Sequence, residues 1–317
     1  MRRKDDELNK VLRIGTRGSK LALWQTNWVA AQLRDRWPDI RFDIEIIKTV
    51  GDQVQDRPLD QIPVLGVFTK ELDNALLENG IDLAVHSMKD RPTSTPEGIT
   101  IGAIPKREDP RDAFIGKQAA RLCDLPPNAV VGTGSLRRRA QARAIRPDLS
   151  FTALRGNIDT RLRKLDESDS LGGIILAYAG VHRLSLEEHV TEIFDLPQWL
   201  PAAAQGALAI TVRDEDADVL QVVGAIEDKS SRAAAIAERA VLAKLGGGCH
   251  VPVGAHADVR DERLTLSGLI ADLDGSLLLR ETVEGAAGQA EALGAELGNR
   301  LLERGGDKIM AKLRGCE

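Results

Sequence analysis

The sequence predicts two doubly wound α/β domains followed by a small α+β domain. In the first hundred residues, short apolar strands alternate with amphipathic helices, a pattern typical of a parallel sheet covered by helices on both faces. The same alternation resumes after residue 110, and the last third changes to three consecutive strands and a closing helix. We therefore expect domain 1 over residues 1–105 and 201–222, domain 2 over 106–200 and domain 3 over 223–317.

The first domain opens with a strand, a loop and a helix. Val11 to Ile14 form the strand, and apolar residues recur at helical spacing from Leu21 to about Arg36. The glycine-containing loop between them can present backbone N–H groups to an anion, and Arg17 adds a cation at the same place. Many α/β proteins use such loops for turn geometry alone, so an anion site is one of two interpretations.

The rest of the first domain continues the alternation. Phe42 to Ile46 form a second strand, and a helix opening at Phe68 ends at Gly80. Thr49 to Gly66 has two prolines and no period, which predicts a mobile loop or lid. The apolar run Ala207 to Val212 is predicted to return to this domain as a strand.

A candidate catalytic carboxylate follows the third strand. Ile81 to Val85 alternates as a buried strand, and polar residues and Pro92 then end it. Open α/β sheets bind their ligands at the carboxyl ends of strands, and Asp90 lies there between two cations. A turn-capping aspartate is the alternative interpretation.

The second domain repeats the strand, loop and helix unit. Asn157 is expected to be the N-cap of its second helix. The predicted elements are a strand at Val130–Val131, a helix from Leu136 to Ala144, a strand at Phe151–Leu154, a helix from Ile158 to Leu165 and a strand at Gly173–Ala177.

Arginine is concentrated in this domain. Residues 137–163 contain eight arginines and two acids. The planar guanidinium binds two oxygens of a carboxylate or phosphate at once. Arg137, Arg138 and Arg155 stand where strands are followed by helices, so we expect them to bind an anionic ligand. A solvated helix face is the interpretation for Arg139, Arg143 and Arg146.

The last third has a different organisation. Ser231 is expected to cap a helix, and Asp274-Gly275 to form a hairpin turn. The predicted strands are Val251–Val259, Leu264–Ile270 and Ser276–Val283. Cys249 follows three glycines, a placement that exposes a thiol, although glycine runs also occur as plain linkers. The three cysteines are widely scattered, which predicts neither a disulfide framework nor a zinc site.

Composition excludes several classes of protein. The chain is 43% hydrophobic and 29% charged, and no apolar run reaches the length of a membrane span. The first residues lead into no signal-type apolar region, so we expect a cytoplasmic protein without a membrane partner. A net charge of −5 and 3% aromatic residues argue against nucleic-acid binding.

Six ordered motifs resemble those of the porphobilinogen deaminase (hydroxymethylbilane synthase) family over nearly the whole chain. They are Arg13–Ser19, Ala84–Asp90, Arg107–Phe114, Gly132–Arg138, Leu154–Asn157 and Gly247–Cys249. The resemblance implies two periplasmic-binding-protein-like domains and a third, smaller one. It also implies a monomeric transferase of porphyrin and heme biosynthesis, which deaminates porphobilinogen and condenses four molecules of it head to tail into the linear tetrapyrrole hydroxymethylbilane.

The resemblance also implies the site residues and a cofactor. The primer is a dipyrromethane joined by a thioether to Cys249, the catalytic carboxylate is Asp90, and no metal takes part. The other positions matching cofactor-binding residues are Lys89, Thr133, Ser135, Arg137, Arg138, Arg155 and Gly156. Those matching substrate-binding residues are Arg17, Ser19, Asn157, Arg161, Arg183 and Gln205.

The sequence departs from the family pattern at three places. The lid reads Gln61–Phe68 where lysine-containing Gly-Gly-Lys-Gly-Leu-Phe is usual, so Gln61 and Leu65 stand there instead of lysine. Gly134 replaces a common serine, and Ala204 a glycine. Asp90, Cys249 and the arginines are retained, so we expect an active enzyme.

Two other classes share part of the pattern. A non-catalytic solute-binding protein would share the two lobes but has no use for Cys249. A nucleic-acid binder could use the arginines of residues 137–163, but the chain is acidic overall. An inactive homologue is a narrower alternative, raised by the lid alone. A covalent dipyrrole on the protein is compatible with neither kind of binder.

Overall fold

A computed structural model describes residues 11–49, 51, 68–246 and 251–314. Its strands are β1 (Val11–Thr16), β2 (Arg41–Ile46), β3 (Leu83–Ser87), β4 (Ile99–Ala103), β5 (Asp112–Gly116), β6 (Val130–Gly132), β7 (Ser150–Thr152), β8 (Leu171–Ala177), β9 (Glu192–Ile193), β10 (Leu208–Arg213), β11 (Val253–Arg260), β12 (Arg263–Ala271) and β13 (Leu278–Ala286). Its α-helices are α1 (Lys20–Arg36), α2 (Lys70–Leu77), α3 (Leu136–Ile145), α4 (Ile158–Glu167), α5 (Tyr178–Arg183), α6 (Ala217–Gly224), α7 (Lys229–Lys244), α8 (Ala290–Leu301) and α9 (Asp307–Arg314).

The chain divides into two compact units. The first comprises Met1–Arg107 and Ala207–Arg232, and the second comprises Glu108–Gly206 and Ala233–Glu317. The C-terminal strands and helices belong to the second unit, so the boundaries of three separate domains stay a prediction.

The first unit is built on a five-stranded sheet in the order β2-β1-β3-β10-β4. β1 is parallel to β2 and β3, and β10 is antiparallel to β3 and β4. Leu83 and Val85 of β3 share one apolar cluster with Leu33 of α1, whereas Ala84 belongs to the cluster of α2 with Leu72. Alternate residues of a strand face opposite sides, so helices cover both faces of this sheet.

The second unit contains a sheet of the same kind, in the order β7-β6-β8-β5-β9. β6 is parallel to β7 and β8, and β5 is antiparallel to β8 and β9. Phe114 of β5 lies in one apolar cluster with Ala142 of α3, and Ile115 lies in another with Leu162 of α4. The prediction of two doubly wound α/β sheets is therefore confirmed.

The C-terminal part of the second unit has its own core. β11, β12 and β13 form an antiparallel sheet, and its buried face packs on α7, α8 and α9 through residues such as Val241, Leu297 and Ile309. Gly275, with a φ of 74°, lies in the turn between β12 and β13. The predicted small α+β domain and its hairpin are thus present.

Differences from the prediction concern short elements and one cap. The helix predicted to start at Ser231 begins at Lys229, and the carboxylate of Asp228 accepts a hydrogen bond from the Ser231 backbone N–H at 2.7 Å. The sequence analysis also missed β4, β5, β9, α5 and α9, none of which is longer than eight residues. The returning strand is confirmed as β10. The lid positions Gln61 and Leu65 lie outside the described residues.

Candidate active site

In the first unit, the loop after β1 lies beside the end of β3. The two strands are parallel neighbours, with Gly15 opposite Ala84. The side chain of Ser19 accepts a hydrogen bond from the Ala22 backbone N–H at 3.2 Å and so caps α1. Arg17 is half-buried, and its guanidinium carbon lies 4.2 Å from the centre of the Phe68 ring, a cation–π contact. A cation and a helix N-terminus therefore occupy this edge of the sheet.

Asp90 lies on the same edge, in a short 3₁₀ turn, Met88–Asp90, that follows β3. Met88 is buried and its N–H donates to the Ala207 carbonyl at 3.0 Å, whereas Asp90 is exposed and Lys89 is half-buried. The end of β3 is further held to α1 because Gln25 Nε2 donates to Ser87 Oγ at 2.9 Å. The structure thus places Arg17, Ser19, Lys89 and Asp90 at one edge of this sheet, and their roles in binding and catalysis stay a prediction.

In the second unit, two helix N-termini stand side by side. α3 follows β6 and α4 follows β7, and the two strands are parallel neighbours. The Thr133 N–H donates to the Thr152 carbonyl at 2.9 Å, which joins the two loops. Ser135 caps α3: its hydroxyl accepts from the Arg138 N–H at 3.4 Å, and its own N–H donates to Thr133 Oγ1 at 3.2 Å. Both predicted loops therefore lie at one edge of this sheet.

The second of these N-termini carries Arg155, Gly156 and Asn157. Asn157 is at the predicted N-cap position, but its exposed side chain makes no capping hydrogen bond within the described part of α4. Gly156 has a φ of 110°, a conformation that L side chains rarely adopt. Its carbonyl accepts from Arg161 Nε at 2.8 Å, and the half-buried Arg155 lies immediately before it. Polar groups are thus presented at the start of the helix.

Arg137 and Arg138 are held by a buried carboxylate, and the prediction that they bind an anionic ligand stays a prediction. Both are buried, and both bind the carboxylate of Asp112: Arg137 Nη1 lies 2.6 Å from Oδ2 and Arg138 Nη2 lies 2.7 Å from Oδ1. Burial disfavours ionisation of Asp112, but the charges and hydrogen bonds of the two guanidinium groups outweigh it and hold the pKa of this carboxyl far below its usual range. The three charged groups therefore form one buried cluster with a single net positive charge.

Two neutral donors complete the shell of Asp112. Trp199 Nε1 donates to Oδ2 and Gln205 Nε2 donates to Oδ1, each at 2.8 Å. Arg137 Nη1 and Arg138 Nη1 also donate to the carbonyls of Leu200 and Ile175. Gln205, a predicted substrate-binding residue, is thus buried against the same carboxylate as the two arginines.

Arg183 is also buried, with Nη2 donating to the Gly206 carbonyl at 2.7 Å. Burial lowers the pKa of Arg183 to about 10, and the nearby Glu108 opposes that change. The side chain remains a cation at neutral pH.

The arginines expected on a solvated face are half-buried and bound to the protein. Arg146 pairs with Asp148 at 2.7 Å and donates to the carbonyl of Leu125, and Arg143 donates to the carbonyl of Leu273. Arg139 and Arg143 also approach the ring of Phe151. The solvated-face interpretation was therefore wrong, because these side chains hold local structure together.

Sequence reasoning missed Asp112. The sequence analysis gave Asp112 no role of its own, whereas the structure places it at the start of β5, fully buried. A signal was available: eight arginines with two acids nearby in sequence need a carboxylate from elsewhere in the chain.

Replacing Asp112 with asparagine should strongly destabilise the protein. Two buried guanidinium groups would lose their counter-charge, and breaking a buried ion pair in this way costs about 3–5 kcal/mol. Urea unfolding followed by fluorescence measures the loss. Because the pKa of Asp112 is lowered, the difference from the unmodified protein should be complete above about pH 4 and narrow as the pH falls further.

Glu284→Gln is the matched control, since it removes a carboxylate whose pair with Arg263 is exposed. Glu284→Gln should shift the urea midpoint of unfolding only slightly. If both variants shift the urea midpoint equally, burial of Asp112 and its two arginines does not explain their contribution to the free energy of unfolding.

Cys249 lies outside the described residues. The described cysteine Cys123 is exposed and free. Among the described residues, no helix is long and apolar enough to cross a membrane.

Comparison with known proteins identifies the family. A family model described as "Porphobilinogen deaminase, dipyromethane cofactor binding domain" matches residues 12–221, and one described as "Porphobilinogen deaminase, C-terminal domain" matches residues 233–303. Among solved structures, the methionine binding protein MetQ is similar at 10% identity and a TM-score of 0.42, over 68% of this chain and 88% of that chain.

Curated relatives match over nearly their full length. The porphobilinogen deaminase of Desulforudis audaxviator is 50% identical over 301 residues, which cover 95% of this chain and 97% of that protein. The porphobilinogen deaminase of Syntrophobacter fumaroxidans is 45% identical over 305 residues, or 96% of this chain and 98% of that protein. The chain belongs to the porphobilinogen deaminase family.

Proposed function

We propose that this protein is the transferase that deaminates four porphobilinogen molecules and condenses them head to tail into hydroxymethylbilane, a step of porphyrin and heme biosynthesis. The observation that carries the proposal is the exposed carboxylate of Asp90 at the carboxyl end of a buried strand, next to Lys89 and at the same sheet edge as Arg17. Family membership supports the same reaction.

Asp90 is the catalytic carboxylate in this proposal. Loss of ammonia from an aminomethylpyrrole leaves a cation, which a fixed carboxylate stabilises electrostatically. The protonated carboxyl can also give its proton to the leaving amine and recover one later. Because Met88 is buried and bonded to the Ala207 carbonyl, whereas Asp90 is exposed, the turn presents the carboxylate at the surface from an anchored residue.

The residues present fit a dipyrromethane. Its acetate and propionate groups need cations and N–H donors, and the second unit offers Arg155 and two neighbouring helix N-termini at Ser135 and Asn157. The dipyrromethane, joined to Cys249, would supply the pyrrole carbon from which the chain grows.

Not all predicted ligands of the cofactor carry equal weight. Arg155, Gly156 and Lys89 are partly exposed and can reach a carboxylate directly. Arg137 and Arg138 share Asp112, so they supply one net positive charge to a bound anion rather than two. Gln205 and Arg183 are buried, and they donate hydrogen bonds to the backbone carbonyls of Pro110 and Gly206, respectively.

A second part of the proposal concerns the cellular location and the oligomeric state of the enzyme. We infer a cytoplasmic monomer, supported by an exposed free thiol at Cys123, which suits a reducing compartment. Cell fractionation and size-exclusion chromatography with light scattering test the two statements.

The function is tested by turnover and intact mass of the purified protein. Incubation with porphobilinogen should release ammonia and hydroxymethylbilane, and the protein should be heavier than its sequence by one dipyrrole. A protein that binds porphobilinogen without releasing ammonia, and without the added mass, would be a solute-binding homologue.

Arg155→Leu should weaken binding of the carboxylates of the dipyrromethane and of the growing chain. A hydrogen bond to a charged group contributes about 1.5–3 kcal/mol, so kcat/KM should fall roughly ten- to hundredfold, with less sensitivity to salt. Arg163→Leu is the matched control, because Arg163 is exposed and 3.9 Å from Glu167 on the same helix. Initial rates at several salt concentrations measure both variants, and equal losses would mean that Arg155 has no special role.

A further inference from the structure

Arg91, the residue after Asp90, is buried, which is unusual for an arginine. The Arg91 side chain is 1% exposed, although it follows an exposed residue in the same turn. Burying a guanidinium is unfavourable unless it is paired and hydrogen-bonded. The groups that accept from Arg91 therefore define what this side chain does.

Arg91 binds two other elements of the first unit. Its Nη1 donates to Asp73 Oδ1 at 2.9 Å, and Asp73, on α2, is 7% exposed. The same Nη1 lies 3.2 Å from His86 Nε2 on β3, and His86 Nε2 lies 3.0 Å from Thr211 Oγ1 on β10. The Arg91 guanidinium thus joins the turn to a helix and, through His86, to two strands.

The charge state of His86 suits this arrangement. Burial, and then the charges of Arg91 and Arg17, hold the pKa of His86 well below its usual value. The imidazole is therefore neutral, and its Nε2 can accept a hydrogen bond from the Arg91 guanidinium. The pKa of Asp73 is raised by burial, with Arg91 opposing the change.

We propose that Arg91 is a positioning residue for Asp90: its guanidinium, held by Asp73 and His86, fixes the turn from which the Asp90 carboxylate extends. This inference rests on the proposed catalytic role of Asp90. The turn is held at its start by the Met88 N–H on the Ala207 carbonyl at 3.0 Å, and at its end by Arg91. Asp90 lies between two anchored residues, and misplacement of a reacting group by about 1 Å can lower a rate about 10²-fold.

A purely structural ion pair is the competing explanation, and paired substitutions separate the two. Removing one partner of a buried pair destabilises a protein strongly, whereas replacing both by apolar residues is often neutral. Arg91→Met combined with Asp73→Leu removes both charges together. This double variant should therefore fold with an unfolding midpoint close to that of the unmodified protein, and it should carry the dipyrrole mass.

The double variant should lose turnover without losing substrate affinity. We expect kcat for porphobilinogen to fall about ten- to hundredfold, with KM within about twofold, because Asp90 is displaced and the anion-binding groups are not. In an Asp90→Asn background the same two substitutions should change the residual rate less than about twofold, since they act through the Asp90 carboxylate. Arg13→Met is the matched control, because Arg13 pairs with Asp82 at 3.0 Å at the opposite end of β3; its kcat should be unchanged.

Arg91→Lys provides a second test that does not depend on the double variant. Lysine keeps a positive charge beside Asp73 but cannot reproduce the guanidinium geometry. Its kcat should fall severalfold with KM unchanged.

Three results would overturn the proposal. Full kcat in either Arg91 variant would mean that Arg91 forms a structural ion pair and does not position Asp90. An equal loss in the Asp90→Asn background would mean that Arg91 does not act through Asp90. If Asp90→Asn alone keeps the rate of the unmodified protein, the catalytic assignment fails together with this proposal, whereas the first two results leave that assignment standing.

Discussion

Asp90→Asn should lower kcat for porphobilinogen by at least about 10²–10⁴, the usual contribution of a general acid–base residue. Loss of electrostatic stabilisation of the cation should lower it further. Asparagine keeps the size of the side chain and much of its hydrogen bonding, but it carries no charge and exchanges no proton. Because Asp90 is exposed, the variant should fold normally, and it should still bind pyrroles through the cations near it.

Asp90→Glu distinguishes charge from position. It keeps the carboxylate but moves it by one methylene, so a small residual rate and accumulated enzyme-bound intermediates are expected. Turnover and intact mass, which counts attached pyrroles, measure both variants. If Asp90→Asn turns over within tenfold of the unmodified protein, Asp90 is only a turn residue and the catalytic carboxylate lies elsewhere.

Long periodic elements were predictable from the sequence. The helix predicted from Leu21 to about Arg36 is found at Lys20–Arg36. The returning strand predicted from Ala207 to Val212 is found at Leu208–Arg213. Both are long enough for apolar residues to repeat on one face several times. Asp90 was located as a candidate for a related reason, because open α/β sheets bind their ligands at the carboxyl ends of strands.

Pairings between distant residues were not predictable. Arg138 and Asp112 are 26 positions apart, and nothing local in the sequence indicates that they meet. The sequence pattern located the arginines at the ends of strands but could not distinguish a guanidinium that faces a ligand from one that binds a buried carboxylate. Burial decides this, and burial depends on tertiary packing.

One departure from the family pattern now has a physical description. Ala204, which stands where the family resemblance implies a glycine, has a φ of 58°, in the left-handed region that favours glycine. A non-glycine residue held there costs about 1–3 kcal/mol, which the surrounding structure must offset. The Ala204 N–H donates to the buried carboxylate of Glu238 at 2.5 Å, a charge-assisted bond that holds this conformation.

Cys249→Ala should abolish both the dipyrrole mass and all turnover. A thioether requires a sulfur nucleophile, and alanine offers none, so no primer can be attached at that position. Activity should disappear rather than fall, because chain growth needs an attached first pyrrole. Intact mass spectrometry and porphobilinogen turnover measure the two losses on the same sample.

The other cysteines make this a test of position rather than of accessibility. Cys123 is exposed, so a reactive dipyrrole could reach its thiol if access alone decided the attachment. We nevertheless expect Cys123→Ala and Cys316→Ala to keep the full mass and activity, since attachment requires a thiol placed beside groups that bind the pyrrole carboxylates. Recovery of the adduct on Cys123 or Cys316 would show that Cys249 does not carry the cofactor. If Cys249→Ala kept the added dipyrrole mass, the same conclusion would follow.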